Sequence, residues 1–261
     1  MVMRQNIFKD KDFFDEDIQW NMECHSDLRS KLSKAFDDEH KGFIFLGLLD
    51  YSRVAIAESY TLGESLTKIG RRCELLFDDA KLYIDEFPDS DLFGSGTLES
   101  YINCLWLLSF CYFFKTPKER IQLIADHISL TEKDWLIDRL IAASIPGHPI
   151  AVGQLAFPEI YKPLAEALSY DQTTEERNKK IQMFLKNYYP LLKKYDVTWH
   201  DSHKEPDPEY CNHFGYWIFE LAALSADIGW DDTSFRDHPM YSKDLVDWKF
   251  AQRPKDKQIK I

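Results

Sequence analysis

The run from Tyr101 to Phe114, YINCLWLLSFCYFF, carries no charged residue over 14 positions. A membrane span needs about 20 apolar residues, so this run is expected to be a helix buried inside a folded body. The rest of the chain must then supply elements that cover it. Those elements also read as helical. Only 10 Gly and 11 Pro occur among 261 residues, hydrophobic residues make up 44% and aromatics 15%. Few breakers and many bulky side chains suit packed helices, and no run alternates in the manner of a strand. The expectation is an all-α chain, a multi-helix bundle or array of packed antiparallel helices without substantial β-sheet.

Helical periodicity places the covering elements. Asp12 to Phe36 shows near-helical marks at Phe13, Phe14, Ile18, Met22, Leu28 and Leu32, and Phe43 to Tyr60 reads as interior. In Glu64 to Phe87, Leu66, Ile69, Cys73, Leu76, Phe77, Ala80 and Ile84 recur at steps of three or four, with acid on the outer face. Pro88 and the residues through Gly96 break this pattern. Thr97, Thr116-Pro117, Thr131 to Asp134 and Thr173 to Glu176 read as helix starts, the last three as threonine-x-x-acid caps. Asp196 to Cys211 holds Pro206 and Pro208 and is expected to be irregular, followed by a helix from His213 to Ile228. From Lys249 the chain turns basic, and a frayed tail is expected.

The chain carries 32 Lys and Arg against 44 Asp and Glu, a net charge of −12. Nucleic acid is a poor direct ligand for such a protein, because affinity for phosphates comes from Lys and Arg. Five cysteines without a C-x-x-C pair read as free thiols of a reducing compartment. The start, MVMRQNIFKDKDFFDE, lacks the apolar run of a signal peptide, so a cytoplasmic protein is expected.

No phosphate loop, nucleophile elbow, H-E-x-x-H or dinucleotide turn occurs, and no cofactor is expected. His200, His203, Cys211 and His213 are irregularly spaced for a zinc site and read as loop histidines, so no metal is expected. Glu220 interrupts the uncharged run FGYWIFELAAL and reads either as a general acid or as an internal anchor paired with an Arg or with backbone donors. Tyr216 and Trp217 beside it read as core. Three acidic clusters stand out: eight acids against one Lys from Glu74 to Glu99, five against one from Asp196 to Cys211, and six against two bases from Ala226 to Asp247. Ordinary solubility charge and a surface for a basic protein both account for them.

The stretch from Tyr210 to Trp248 resembles the C-terminal signature of PoNi-type immunity proteins. The resemblance lies on Gly215, Tyr216, Trp217, Glu220, Ala222 and Ala223, then Asp231, Asp232, Thr233 and Ser234, then His238, Pro239, Tyr241, Asp244 and Leu245. The opening MRQNIFKDKDFFDEDI and the segment Arg53 to Leu66 look like the family's N-terminal companion domain. The implied organisation is an N-terminal helical region over 3–128, a C-terminal one over 131–248 and the tail 249–261. The resemblance implies a non-enzymatic bacterial immunity protein that binds a toxic effector, commonly a DNase of a type VI or related secretion system. Motif residues such as Gly215, Glu220 and Asp232 would hold the fold, and the divergent acidic loops would choose the partner. Candidate contacts are Asp201, Glu205, Asp207 and Glu209, with Asp85, Glu86, Asp89 and Asp91, and the aromatic anchors Trp199, Tyr210 and Trp230. Two other readings stay open: a hydrolase built on His200, His203 and Glu220, and a helical scaffold without a toxin.

Overall fold

The computed structural model describes residues 3–5, 9–93, 96–128, 134–169, 172–207 and 210–253. Among them are ten α-helices, two short 3-10 turns and no strand, as the scarcity of breakers and the helical periodicity predict. The helices divide between two compact units. The first comprises 1–93 with 201–215, and the second 94–200 with 216–261. The helix built on the Tyr101 run packs within the second unit.

The first unit is built on three long helices, α1 (Lys11–Lys31), α2 (Asp38–Leu62) and α3 (Leu66–Glu86). Each begins with a side-chain cap: Asp10 accepts from Phe13 N, Asp37 from His40 N and Ser65 from Lys68 N. Gly63, at φ 88° in the left-handed region, ends α2 and lets the chain reverse into α3. α1 packs on α2 and α2 on α3. Polar groups are buried where they meet. Asp79 of α3 accepts from His25 Nε2 of α1 at 2.6 Å and from Ser52 Oγ of α2 at 3.2 Å, and pairs with Arg29. Asn21 of α1 donates to Glu58 Oε2 of α2 at 3.0 Å.

The second unit contains α4 (Leu98–Phe113), α5 (Lys118–Asp126), α6 (Trp135–Ser144), α7 (Pro158–Ala167), α8 (Thr174–Lys194), α9 (Phe219–Ile228) and α10 (Lys243–Ala251). α4 is the predicted interior helix, and Thr97 caps it by accepting from Ser100 N. Trp106 on it meets Phe219 of α9 edge-to-face at 4.9 Å between centroids, and both side chains are fully buried. Thr173 and Glu176 form the reciprocal cap predicted for α8. Thr173→Ala is expected to lower stability by about 1 kcal/mol in chemical denaturation; an unchanged midpoint would show the cap to be idle.

Three local expectations need correction, and a fourth, at Thr131, falls outside the described residues. Thr116 does not cap α5. Its N–H returns to the Cys111 carbonyl at the end of α4, where Lys115 takes a positive φ, and Pro117 begins the helix without a side-chain cap. Thr131 lies outside the described residues, and Asp134 caps α6 by accepting from Leu136 N and Ile137 N. The helix expected from His213 begins only at Phe219: Gly215 has φ 93°, and the Ile218 N–H bonds across to the Met240 carbonyl. The basic tail is structured at its start. Lys249 belongs to α10 and bonds the Tyr112 carbonyl, and Arg253 bonds that of Ala226; residues 254–261 lie outside the described residues.

Candidate functional site

The helices of the first unit leave a groove of about 780 Å³ between α1, α2 and the segment at 210–212. Spacing on α1 puts Phe13, Glu16, Asp17, Trp20 and Asn21 on one face, at steps of three, one, three and one. Asp50, Tyr51 and Val54 of α2 form the opposite side, and Tyr210, Cys211 and Asn212 complete the lining. Trp20 is 54% exposed and Tyr210 72% exposed, unusual for such large side chains. Trp20 leans edge-on against Tyr51, with ring centroids 5.6 Å apart.

The lining is acidic. It contains three carboxylates, Glu16, Asp17 and Asp50, and no Lys, Arg or His. Asp50 is paired with Arg53. Near Asp17 lies Glu58, fully buried, which accepts from Asn21 and whose pKa is pushed well above the usual carboxylate range by desolvation first and by the neighbouring Asp17 carboxyl next. Lys9 stands beside Cys211 and donates to the Glu205 carbonyl at 2.8 Å. Burial also pushes the Cys211 thiol up, so it is a poor nucleophile.

The sequence-predicted contact residues are placed as follows. Asp201, in the left-handed region at φ 63°, pairs with Lys204 at 2.8 Å, and Glu205 accepts from the Asp207 N–H at 3.1 Å. Asp207 is exposed and Glu209 lies outside the described residues. Of this loop, Tyr210 reaches the groove. Asp85 pairs with Lys81 and Glu86 with Lys41, so both are partly neutralised, while Asp89 is exposed. None of Asp85, Glu86, Asp89 and Asp91 lines the groove.

Two aromatic anchors are corrected. Trp199 is 2% exposed and packs near Trp106 and Tyr216, and Trp230 is 5% exposed with Arg177 over its ring. Both belong to the core of the second unit, where their apolar area contributes more than it would in water. Trp20, Glu16 and Asp17 are the residues that the sequence reading missed. Their signal was an aromatic and acidic face on α1, beside the apolar marks at Phe14, Ile18 and Met22 that face the interior.

The motif residues of the second unit are tied inward. Tyr216 meets Tyr189 edge-to-face at 5.0 Å, and Trp217 stacks on Phe219 at 6.3 Å. Asp232 accepts from the Tyr241 hydroxyl at 3.0 Å and from Arg236 at 2.9 Å, and Arg236 also pairs with Asp247. Asp231 accepts from Thr233 N at 3.0 Å, and Asp244 lies in the first turn of α10. Glu220 is anchored by the Tyr161 hydroxyl at 3.1 Å, not by an arginine, and burial pushes its pKa up to about 8.

The residues of the hydrolase reading make separate contacts. Within the second unit, the His200 ring lies tilted against Tyr189 at 4.6 Å while Glu220 meets Tyr161; His203 belongs to the first unit, beside His213. Desolvation lowers the His213 pKa to about 3. Among the described residues no group of three or more His, Cys, Asp or Glu is arranged to hold a metal, and no helix is long and apolar enough to cross a membrane.

Comparison with known proteins bears on the second unit most directly. Residues 132–245 match the family model described as PoNe immunity proteins (PoNi), C-terminal. Curated protein sequences give no match. Among solved structures, the crystal structure of protein PA2201 from Pseudomonas aeruginosa is similar in fold, with a TM-score of 0.66 at 17% identity, covering 96% of this chain and 91% of that one.

Proposed function

We propose that this chain, which over residues 132–245 belongs to the C-terminal family of PoNe immunity proteins, neutralises a cognate PoNe-type nuclease by binding it through an acidic surface of its first unit. The family match carries this reading. The acidic and aromatic groove supports it, because a nuclease must present a basic surface to DNA, and complementary potential accelerates encounter and rejects wrong partners. The action is stoichiometric binding and not catalysis. The nuclease in this reading is a DNase effector of a type VI or related secretion system, and the protection is exerted in the cytoplasm of the producing cell.

The test uses the effector domain encoded beside this gene. The wild-type chain is expected to co-purify with it and to suppress its DNA cleavage at a 1:1 ratio. Charge reversal at Asp201, Glu205 and Asp207 is expected to slow association by about tenfold at low salt, an effect that shrinks as salt is raised. Failure of the wild-type chain to bind any neighbouring nuclease would refute the immunity reading. An unchanged on-rate for the reversed variant would remove that loop from the interface.

A further inference from the structure

We infer that the groove between α1 and α2 receives an arginine side chain of the nuclease, its guanidinium lying against the Trp20 and Tyr210 rings and paired with the carboxylates of Glu16 and Asp17. This rests on the immunity reading and specifies the chemistry by which the partner is held.

The occupant follows from what the lining offers. Asp50 already has Arg53, whereas Glu16 and Asp17 bring carboxylates with no basic group among the lining residues. An apolar side chain seated here would strip water from those carboxylates without replacing it, which is costly. A phosphate or an acidic peptide would be repelled. A lysine ammonium would satisfy a carboxylate, but it is compact and strongly hydrated and makes little use of two exposed aromatic faces. A guanidinium is planar, weakly hydrated and rich in donors, so it serves the carboxylates and the rings together. Trp20 and Tyr210 also match the large, rigid aromatics that anchor protein interfaces.

Two full-chain variants test the inference, Trp20→Ala and Glu16→Gln. Both residues are exposed, so thermal unfolding is expected to match the wild type. Each variant is expected to weaken binding of the nuclease domain by about tenfold, within the range of cation–π and charge-assisted anchors. Wild-type binding with both variants unchanged would overturn the groove as an anchor and leave the immunity reading standing. No wild-type binding would overturn the reading itself. A loss of self-association in the variants, with nuclease affinity intact, would assign the groove to a second copy of this chain and also overturn the inference. A direct probe needs no nuclease. In protein labelled with 15N-tryptophan, the blocked peptide Gly-Arg-Gly at high concentration is expected to shift the Trp20 indole resonance, while the citrulline peptide leaves it in place. Equal shifts from both peptides, or none, would overturn the arginine assignment.

Discussion

Asp79→Ala is expected to lower the unfolding free energy by about 3–5 kcal/mol, the usual cost of removing one partner from a buried ionic network. Asp79 is fully buried and receives three donors, from His25 and Arg29 on α1 and from Ser52 on α2. Arg29 is 39% exposed and can turn to water after the change. His25, 5% exposed, cannot, and its ring nitrogen would be left facing a cavity. Asp79→Asn keeps an acceptor for His25 and is expected to cost roughly half as much, and Arg29→Met about 1 kcal/mol or less. Because the chain forms two compact units, the global unfolding curve should be accompanied by hydrogen exchange of α1 and α3. Faster exchange there in Asp79→Ala is the expected result; protection equal to the wild type would mean that α1 is held without this network. The consequence reaches the groove. α1 carries Glu16, Asp17 and Trp20 and is seated through Asp79 on one neighbour and Glu58 on the other, so loosening Asp79 should weaken partner binding without touching the groove.

That dependence explains what the sequence could and could not display. The Tyr101 run, the amphipathic α3 and the Thr173 cap are local signals, set by the period and chemistry of adjacent residues, and each reads directly into a helix. The groove is not local. Tyr210 is some 190 positions from Trp20 in the chain, and only the fold of the first unit sets 210–212 beside α1 and α2. Trp199 and Trp230 illustrate the reverse case. Each neighbours acids in sequence, which suggested a surface anchor, yet each fills a core, because adjacency in a loop does not set the direction of a side chain. Glu86 counted fully in the acidic cluster, but Lys41 of α2 offsets it. Charge summed along a chain overstates charge presented to a partner wherever a base from another turn or helix folds onto it.

Glu220→Gln is expected to stabilise the protein above neutral pH and to leave it nearly unchanged near pH 5. Glu220 sits in the first turn of α9, fully buried, with one oxygen bonded to the Tyr161 hydroxyl and no donor on the other. Desolvation there outweighs the helix terminus and the Tyr161 bond, and moves the pKa from 4.5 to about 8. Between those values the folded protein keeps a proton that the unfolded chain has released. The folded state binds more protons, so stability must fall as pH rises through this window. From pH 5 to pH 8 the loss is on the order of 4 kcal/mol, about 1.4 kcal/mol for each pH unit. His213 acts in the opposite sense at the acid end. Its pKa falls from 6.5 to about 3 on folding, so the unfolded chain binds more protons between those values and stability rises with pH there. The two slopes oppose each other below pH 6.5, and a single wild-type profile cannot separate them. The difference between Glu220→Gln and wild type can, because His213 contributes equally to both. That difference, taken from denaturant unfolding at half-unit steps, should be near zero at pH 5 and reach several kcal/mol by pH 8. A difference that stays flat across this range would mean that the buried carboxyl is ionised in the folded protein, and that the Tyr161 hydroxyl and the helix terminus suffice to hold the charge.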